Sequence, residues 1–446
     1  MSVHSSLRRL SLLTRRVLAV SVLISGTVFA APIGTPLSAT LPVLSSPIGN
    51  PQPGESTIAV DALGNFTVAW FSHTKSDRQV YARSFDALGA PISAQFLVSP
   101  DNATNGFGTF APVALSRSPE GRIVIAWIAA GTWPPYQFDT IRARAFAADG
   151  TPLGSQVDAG STPQGGYSLL SSSIHQPAVA MIDNDEFVVA WVARRYQGSR
   201  STGSLLGVTT EEVLARRFRV DGTALGEAIT VDRRTFVGPD VSLLDPAIRI
   251  VRNPSGGYAI GYSFRVLIDK GVGETLPLST PFRVRSYSAD GRPTSLPLHL
   301  SVAAGPGSLV TQEEFGLSYI ANGDLVLAWA VPNQFNDSTV ETILTRRYSP
   351  LGIPRGKPVT VATRAPRRNS QVISLNVAPI PSGGYVVAWP DFGQTASFAQ
   401  NYTADGSAIG PTFQVGNAND VSIATTVNGD LLSSYGGVFA RKFQGP

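Results

Sequence analysis

One short segment recurs seven times along this chain, and that recurrence constrains the fold more than any other feature. Its clearest copy is Pro177-Ala178-Val179-Ala180, a turn at Asn184-Asp185-Glu186, and then Phe187-Val188-Val189-Ala190-Trp191. It reads as two short strands joined by a tight turn. The other copies close with Gly64 to Trp70, Gly121 to Trp127, Gly256 to Tyr262, Gly323 to Trp329, Gly383 to Trp389 and Gly429 to Tyr435. The closing aromatics are 57, 64, 71, 67, 60 and 46 residues apart. Variable spacing around a constant unit means loops of differing length on one scaffold.

Each unit has a second half. A strand follows with Arg two residues before an aromatic: Arg83 and Phe85, Arg144 and Phe146, Arg216 and Phe218, Arg285 and Tyr287, Arg346 and Tyr348, Arg441 and Phe443. The sixth unit has Gln400 and Tyr402 instead. Then comes a turn, often Asp-Gly as at Asp149-Gly150, Asp221-Gly222, Asp290-Gly291 and Asp405-Gly406, and a short outer strand such as Ile229-Thr230-Val231. Asp-Gly between apolar runs is a hairpin signal, because Gly tolerates positive φ. Four antiparallel strands per unit result, here A to D.

Strand B is apolar on both faces, with Phe187, Val189 and Trp191 on one and Val188 and Ala190 on the other. A sheet with one wet face alternates more cleanly, so both faces must be covered. Blades packed radially in a β-propeller meet that demand. The seventh unit stops after strand C at Phe443, and Pro32 to Val43 supplies a matching turn and fourth strand. The expected fold is therefore all-β. It is a seven-bladed propeller of four-stranded antiparallel blades, closed by the N-terminal strand completing the last blade. The blades are expected near 56–98, 111–158, 176–231, 245–302, 314–361, 372–415, and 420–443 plus 32–44. An open two-sheet solenoid, the rival, leaves the missing strand unexplained.

The pattern Pro-x-Val-Ala, Gly-Gly-Phe-Val-Val-x-Trp, Arg-x-Phe, Asp-Gly and Phe-x-Val resembles repeats of large secreted bacterial proteins. The resemblance covers essentially residues 31–446. It implies propeller-like modules and secretion, and names no reaction. This chain departs from the pattern at Tyr262 and Tyr435, which stand for Trp.

Residues 1–30 read as a signal peptide. Arg8, Arg9, Arg15 and Arg16 precede the apolar run Val17 to Ala30, and small residues favour cleavage after Ala30 or Ala31. Arg8-Arg9 faintly resembles a twin-arginine signal, but general secretion is the expectation. The product is expected in the periplasm or outside the cell. The leader holds four of the 35 basic residues and none of the 31 acids, so 31 of each remain. A neutral mature chain gives no reason to expect nucleic acid as a partner. Later runs fall short of the roughly twenty apolar residues of a membrane helix, so the chain is not expected to be membrane-embedded. It contains no cysteine, which excludes disulfides, thiol catalysis and thiolate metal sites. A monomer is expected.

A residue found at one place in every unit is most simply packing. That reading covers Trp70, Trp127, Trp191, Trp329 and Trp389, and the arginines Arg83, Arg144, Arg216, Arg285, Arg346 and Arg441. Function is sought where the repeat breaks. The B–C and D–A connections emerge on one face of the ring and are long, among them Val192 to Glu212 and Ser263 to Pro281. Loops on a rigid scaffold are the usual home of binding residues. Trp133 and Tyr136, stiffened by Pro134-Pro135, suit stacking on a sugar or peptide. Arg194, Arg195 and Tyr196, with Glu211 and Glu212, offer a charged patch or else local ion pairs.

No catalytic set is identified. His73 and His175 have no motif around them, and the nucleophile-elbow, zincin and phosphate-loop patterns are absent. A carboxylate pair for glycoside hydrolysis needs a separation of about 5–10 Å. Asp139, Glu211, Glu212, Asp269, Glu274, Glu341 and Asp391 are the candidates. No metal site or cofactor is expected; Asp77, Asp337 and Asp391 are the acids that would serve Ca²⁺, though no spacing resembles a calcium loop. The expectation is an exported, non-enzymatic binding propeller with a glycan or protein ligand on the long-loop face. The alternative is a carbohydrate-active hydrolase or lyase with carboxylates on that face.

Overall fold

The computed structural model describes residues 31–44, 56–73, 78–100, 113–129, 140–161, 172–201, 204–237, 241–243, 247–263, 266–269, 275–278, 282–300, 315–332, 341–364, 375–391, 394–436 and 439–446. Blade 1 is built from Ser56–Val60, Phe66–His73, Arg78–Phe85 and Phe96–Leu97. Blade 2 follows with Ala114–Arg117, Ile123–Ala129, Thr140–Phe146 and Val157–Ser161. Blade 3 is Ser172–Met181, Glu186–Ser201, Ser204–Arg219 and Ile229–Val237. Blade 4 is Ala247–Arg252, Tyr258–Ser263, Phe282–Tyr287 and Leu298–Leu300. Blade 5 is Phe315–Tyr319, Leu325–Pro332, Glu341–Tyr348 and Val359–Arg364. Blade 6 is Asn376–Pro379, Tyr385–Asp391, Ala396–Tyr402 and Ala408–Gly416. Blade 7 is Ser422–Thr425, Leu431–Tyr435 and Phe439–Phe443, with Leu41–Pro42 as its outer strand.

Each sheet has the order A-B-C-D with antiparallel neighbours. The inner A strands lie one against the next around the ring, and that of blade 7 lies against that of blade 1. The chain is thus a seven-bladed β-propeller. Among the described residues no helix is long and apolar enough to cross a membrane.

Closure follows the repeat in detail. Leu41 pairs with Ala440 and Pro42 with Phe439. In the other blades a residue of the C–D turn bridges back to the last aromatic of strand C, as Pro91 does to Phe85 and Pro152 to Phe146. Pro36 makes the same bridge to Phe443 across the chain ends. The glycine of each Asp-Gly turn has a φ between 82° and 95°, where a Cβ is strained.

The recurring residues fill the seams between blades. Strand B is fully buried in blade 2, as a strand covered on both faces must be. Trp70, Trp127, Trp191, Trp329 and Trp389 are buried in five different inter-blade clusters. The recurring Arg lies over the ring two residues on, 5.3 Å from its centre for Arg83 and 5.8 Å for Arg346. Arg144, Arg216, Arg285 and Arg441 do the same. The Nε–H groups of Arg83, Arg144, Arg216 and Arg346 donate to the carbonyl ten residues ahead, on the turn into strand D. Gln400 replaces Arg in blade 6, and its amide donates to the carbonyl of Gly410, again ten residues on. In blade 7 Arg441 donates to Ser38, which occupies that place in the N-terminal segment. The residue type is thus set by a need to pin strand D while covering an aromatic face.

One ion pair is wholly internal. Arg117 on the inner strand of blade 2 meets Asp61 in the A–B turn of blade 1 at 2.8 Å, both side chains nearly free of solvent. Burial works against the Arg117 charge, and Asp61 opposes that effect. Asp61 also accepts from the backbone N–H of Leu63 and Asn65, so one carboxylate shapes a turn and ties two blades.

Candidate functional site

The face from which the B–C and D–A connections emerge is not built of loops alone. In blade 3 the B–C ladder continues past Trp191 through Arg194–Glu211 and Tyr196–Thr209 to Ser201–Ser204. Ten residues beyond Trp191 at about 3.3 Å each project a ribbon roughly 33 Å long. Strand D accompanies it, with Thr210 opposite Thr235 and Val208 opposite Val237. In blade 4, Val266–Asp269 and Thr275–Leu278 pair as a second ribbon, and Val241–Leu243 joins it as a third strand. This corrects the reading of Val192 to Glu212 and Ser263 to Pro281 as loops. Residues 192–212 contain no proline, and Gly198 stands opposite Gly207, so nothing interrupts a ladder once it begins.

At the root of these ribbons lies a set of charged side chains. Arg194 Nε and Nη2 both donate to Glu211 Oε1, at 2.8 and 2.6 Å. Glu211 is wholly buried. Arg233 Nε donates to Glu212 Oε1 at 2.7 Å, and Arg195 approaches Glu212 at 3.7 Å. Neighbours in a strand point to opposite faces. Val192 and Val213 pack with blade 4 residues, whereas Ala193 packs with blade 2 residues. Arg194 and Glu211 therefore face blade 4, and Arg195, Glu212 and Arg233 face blade 2. The patch expected at Arg194, Arg195, Glu211 and Glu212 is two separate ion-pair rows. Tyr196 sits in the ribbon at the register position opposite Thr209.

Blade 4 answers with its own polar groups. Asp232, next after the buried Val231 of strand D in blade 3, accepts from Tyr262 Oη at 3.1 Å and Arg283 Nη1 at 2.6 Å. Arg285 Nη1 donates to the Val231 carbonyl at 2.8 Å. Burial, and next Asp232, push the Tyr262 hydroxyl far above its ordinary range, so it remains a donor at any working pH. Tyr262 and Arg283 stand opposite each other in the B–C register, and His299 follows opposite Arg283 on strand D, exposed. The sequence reading marked Tyr262 only as a departure from the repeat's Trp, and it did not single out Asp232 or Arg283. The available signal was that three repeat positions depart from the pattern together in adjacent units.

Of the remaining candidates, Trp133, Tyr136, Asp77, Asp139, Glu274 and Asp337 lie outside the described residues. His73 and His175 lie in strands B and A of blades 1 and 3. Asp269 and Glu341 lie in strands of blades 4 and 5. Asp391 is buried at the end of strand B in blade 6 and accepts from Gln394 Nε2 at 3.0 Å. Among the described residues no three His, Cys, Asp or Glu side chains gather as metal ligands.

No family model matches the chain, and no curated protein matches it. Solved structures match over most of its length. A polysaccharide lyase, Uly1, is 12% identical with a TM-score of 0.45, over 89% of this chain and 91% of that one. An α-L-arabinanase of Penicillium chrysogenum, solved with arabinobiose, is 12% identical with a TM-score of 0.44, over 92% and 98%. The WD40 propeller domain of Doa1 is also 12% identical, with a TM-score of 0.36, over 92% and 96%. None of these likenesses reaches a TM-score of 0.5, and none bears on what this chain binds.

Proposed function

We propose that this chain is an exported propeller that binds a glycan or protein ligand without transforming it, and that blades 3 and 4 make the contact. The observation carrying this reading is the pair of ribbons that the described residues of the long-loop face form in blades 3 and 4. The two ribbons rise from neighbouring blades, over a charged root whose carboxylates are held by arginines. Hydrolysis by a carboxylate pair needs two acids facing one substrate bond. Glu211 and Glu212 face different blades, each is held by arginine, and Asp232 is engaged by Tyr262 and Arg283. Such acids support a scaffold for recognition.

The test is a thermal-shift screen of the intact chain and of a variant in which residues 196–208 are replaced by Asn-Gly. A ligand at a hundred times its Kd stabilises the folded state by about 2.7 kcal/mol. The intact chain should gain that with its ligand, and the shortened chain should not, while both melt alike alone. Release of shortened or unsaturated sugar products during incubation would establish an enzyme instead.

A further inference from the structure

The seam between blades 3 and 4 carries more positive than negative charge. On the blade 3 side stand Arg194 and Glu211, with Arg234 opposite Glu211 in the register and Asp232 two residues before it. On the blade 4 side stand Arg283 and Arg285, the latter reaching the Val231 carbonyl. Four guanidinium groups thus face two carboxylates among the described residues, a surplus of positive charge. Arg283 points one N–H of its fork at Asp232, but its buried Nε–H has no partner. A buried donor without an acceptor costs about 1–3 kcal/mol, so its presence asks for an acceptor. Asp232 and Arg283 each keep 13% of their side-chain surface, so the rim of the seam meets solvent.

We infer that this seam receives an anionic group, a carboxylate or sulfate, of an acidic saccharide. The inference rests on the binding role proposed above and specifies its ligand. An oxygen pair of such a group matches the guanidinium fork and offsets part of the surplus charge. A saccharide fits better than a peptide because peptide docking draws its energy from apolar anchors entering apolar pockets. The large apolar side chains exposed among the described residues are mostly elsewhere, with Leu63, Leu88 and Leu351 on the tight turns of the other face. The described rim offers Arg194, Arg234 and His299 instead, donors suited to hydroxyls.

The experiment measures binding of a uronate oligosaccharide, a sulfated oligosaccharide, a carboxyl-reduced neutral counterpart and an oligoglutamate peptide to the full chain by calorimetry. At least one acidic saccharide should bind, and the neutral counterpart should bind tenfold or more weaker. Affinity for the acidic saccharide should fall as salt is raised. Arg283→Gln should lower that affinity about ten- to a hundredfold, the value of a charge-assisted hydrogen bond. Should that variant fold poorly, Arg283→Lys keeps the charge, loses the fork and should cost less. Equal binding of the neutral sugar, with no effect of Arg283→Gln in a folded chain, overturns the inference and leaves the binding role standing. Equal binding of oligoglutamate overturns the choice of saccharide. No binding of any saccharide overturns the inference, and retained binding of another macromolecule to the ribbon would show that the binding role survives it.

Discussion

Two seams of the ring fill the same three repeat positions in opposite ways. Between blades 3 and 4 the residue after the strand D valine is Asp232, strand B closes on Tyr262, and Arg283 lies two before the recurring Arg. Between blades 7 and 1 those places hold Leu44, Trp70 and Tyr81. Asp232 joins its partners by hydrogen bonds, whereas Trp70 and Tyr81 stack at 6.1 Å with Leu44 packed beside them. The clasp behind them is shared. Arg285 donates to the Val231 carbonyl and Arg83 to the Val43 carbonyl, each reaching the outer strand of the preceding blade. The backbone interface is therefore indifferent to its filling. Apolar contact suffices for cohesion, so the ionic version needs another reason, since buried charge is weak evidence of added stability. The closing seam also has a polar defect. Ser56 and Ser434 have buried hydroxyls with no partner, where Ile248 or Phe315 and Ala69 or Ala126 stand elsewhere in the repeat.

The comparison breaks most severely if the closing strand is removed. Deleting residues 31–44 exposes the edge of Phe439–Phe443, removes the Val43 acceptor of Arg83 and the Ser38 acceptor of Arg441, and uncovers the surface buried by Val43. The expected loss exceeds about 5 kcal/mol. Size-exclusion chromatography should show association through the open edge, and a monomer with an unchanged midpoint would show that the seam adds nothing.

Alkaline pH should act on the other seam. Burial first pushes the Tyr287 hydroxyl up to about 12, and Tyr258 and Tyr262 beside it are raised further. A raised phenol favours its neutral form in the fold, so its contribution is complete below pH 10 and is lost as pH rises through about 12. For Tyr287 that amounts to about 2–3 kcal/mol. Urea midpoints below pH 10 and near pH 12 should diverge less for Tyr287→Phe than for the native chain. Equal divergence would remove Tyr287 from the account.

The smallest effect is expected from Ser56→Val combined with Ser434→Ala, which restores the repeat in the closing seam. Unpartnered hydroxyls give up little when removed, so stability should change by less than about 1 kcal/mol, with a gain favoured. A loss above about 2 kcal/mol, by denaturant unfolding, would mean that an ordered water joins these hydroxyls.

Much of this architecture was legible in the repeat because it is set locally. Each copy carries its own turn residues, its doubly apolar strand B and its Arg-x-aromatic step. Even ring closure could be read, since Pro36 stands before Leu41 as Pro91 does before Phe96. The ribbons were less legible. Val192 to Glu212 holds Gly, Ser and Thr beside its arginines, a composition shared by loops, and only the ladder from Glu186 onward makes it strand. The polar root was not legible as a unit. Asp232 and Arg283 are 51 residues apart and belong to different blades, so no sequence window contains their contact.

The pairing of Leu41–Pro42 with Phe439–Phe443 also sets an order in time. Arg441 reaches Ser38 across 403 residues of chain, and Lys442 reaches the same serine across 404. The strand synthesised earliest in the ring is thus the last to be seated, after every blade between has been made. Until then the assembly carries two unpaired edges at once, and the separation makes the final step slow. The interval before closure is the period in which this chain is most exposed to pairing with its neighbours.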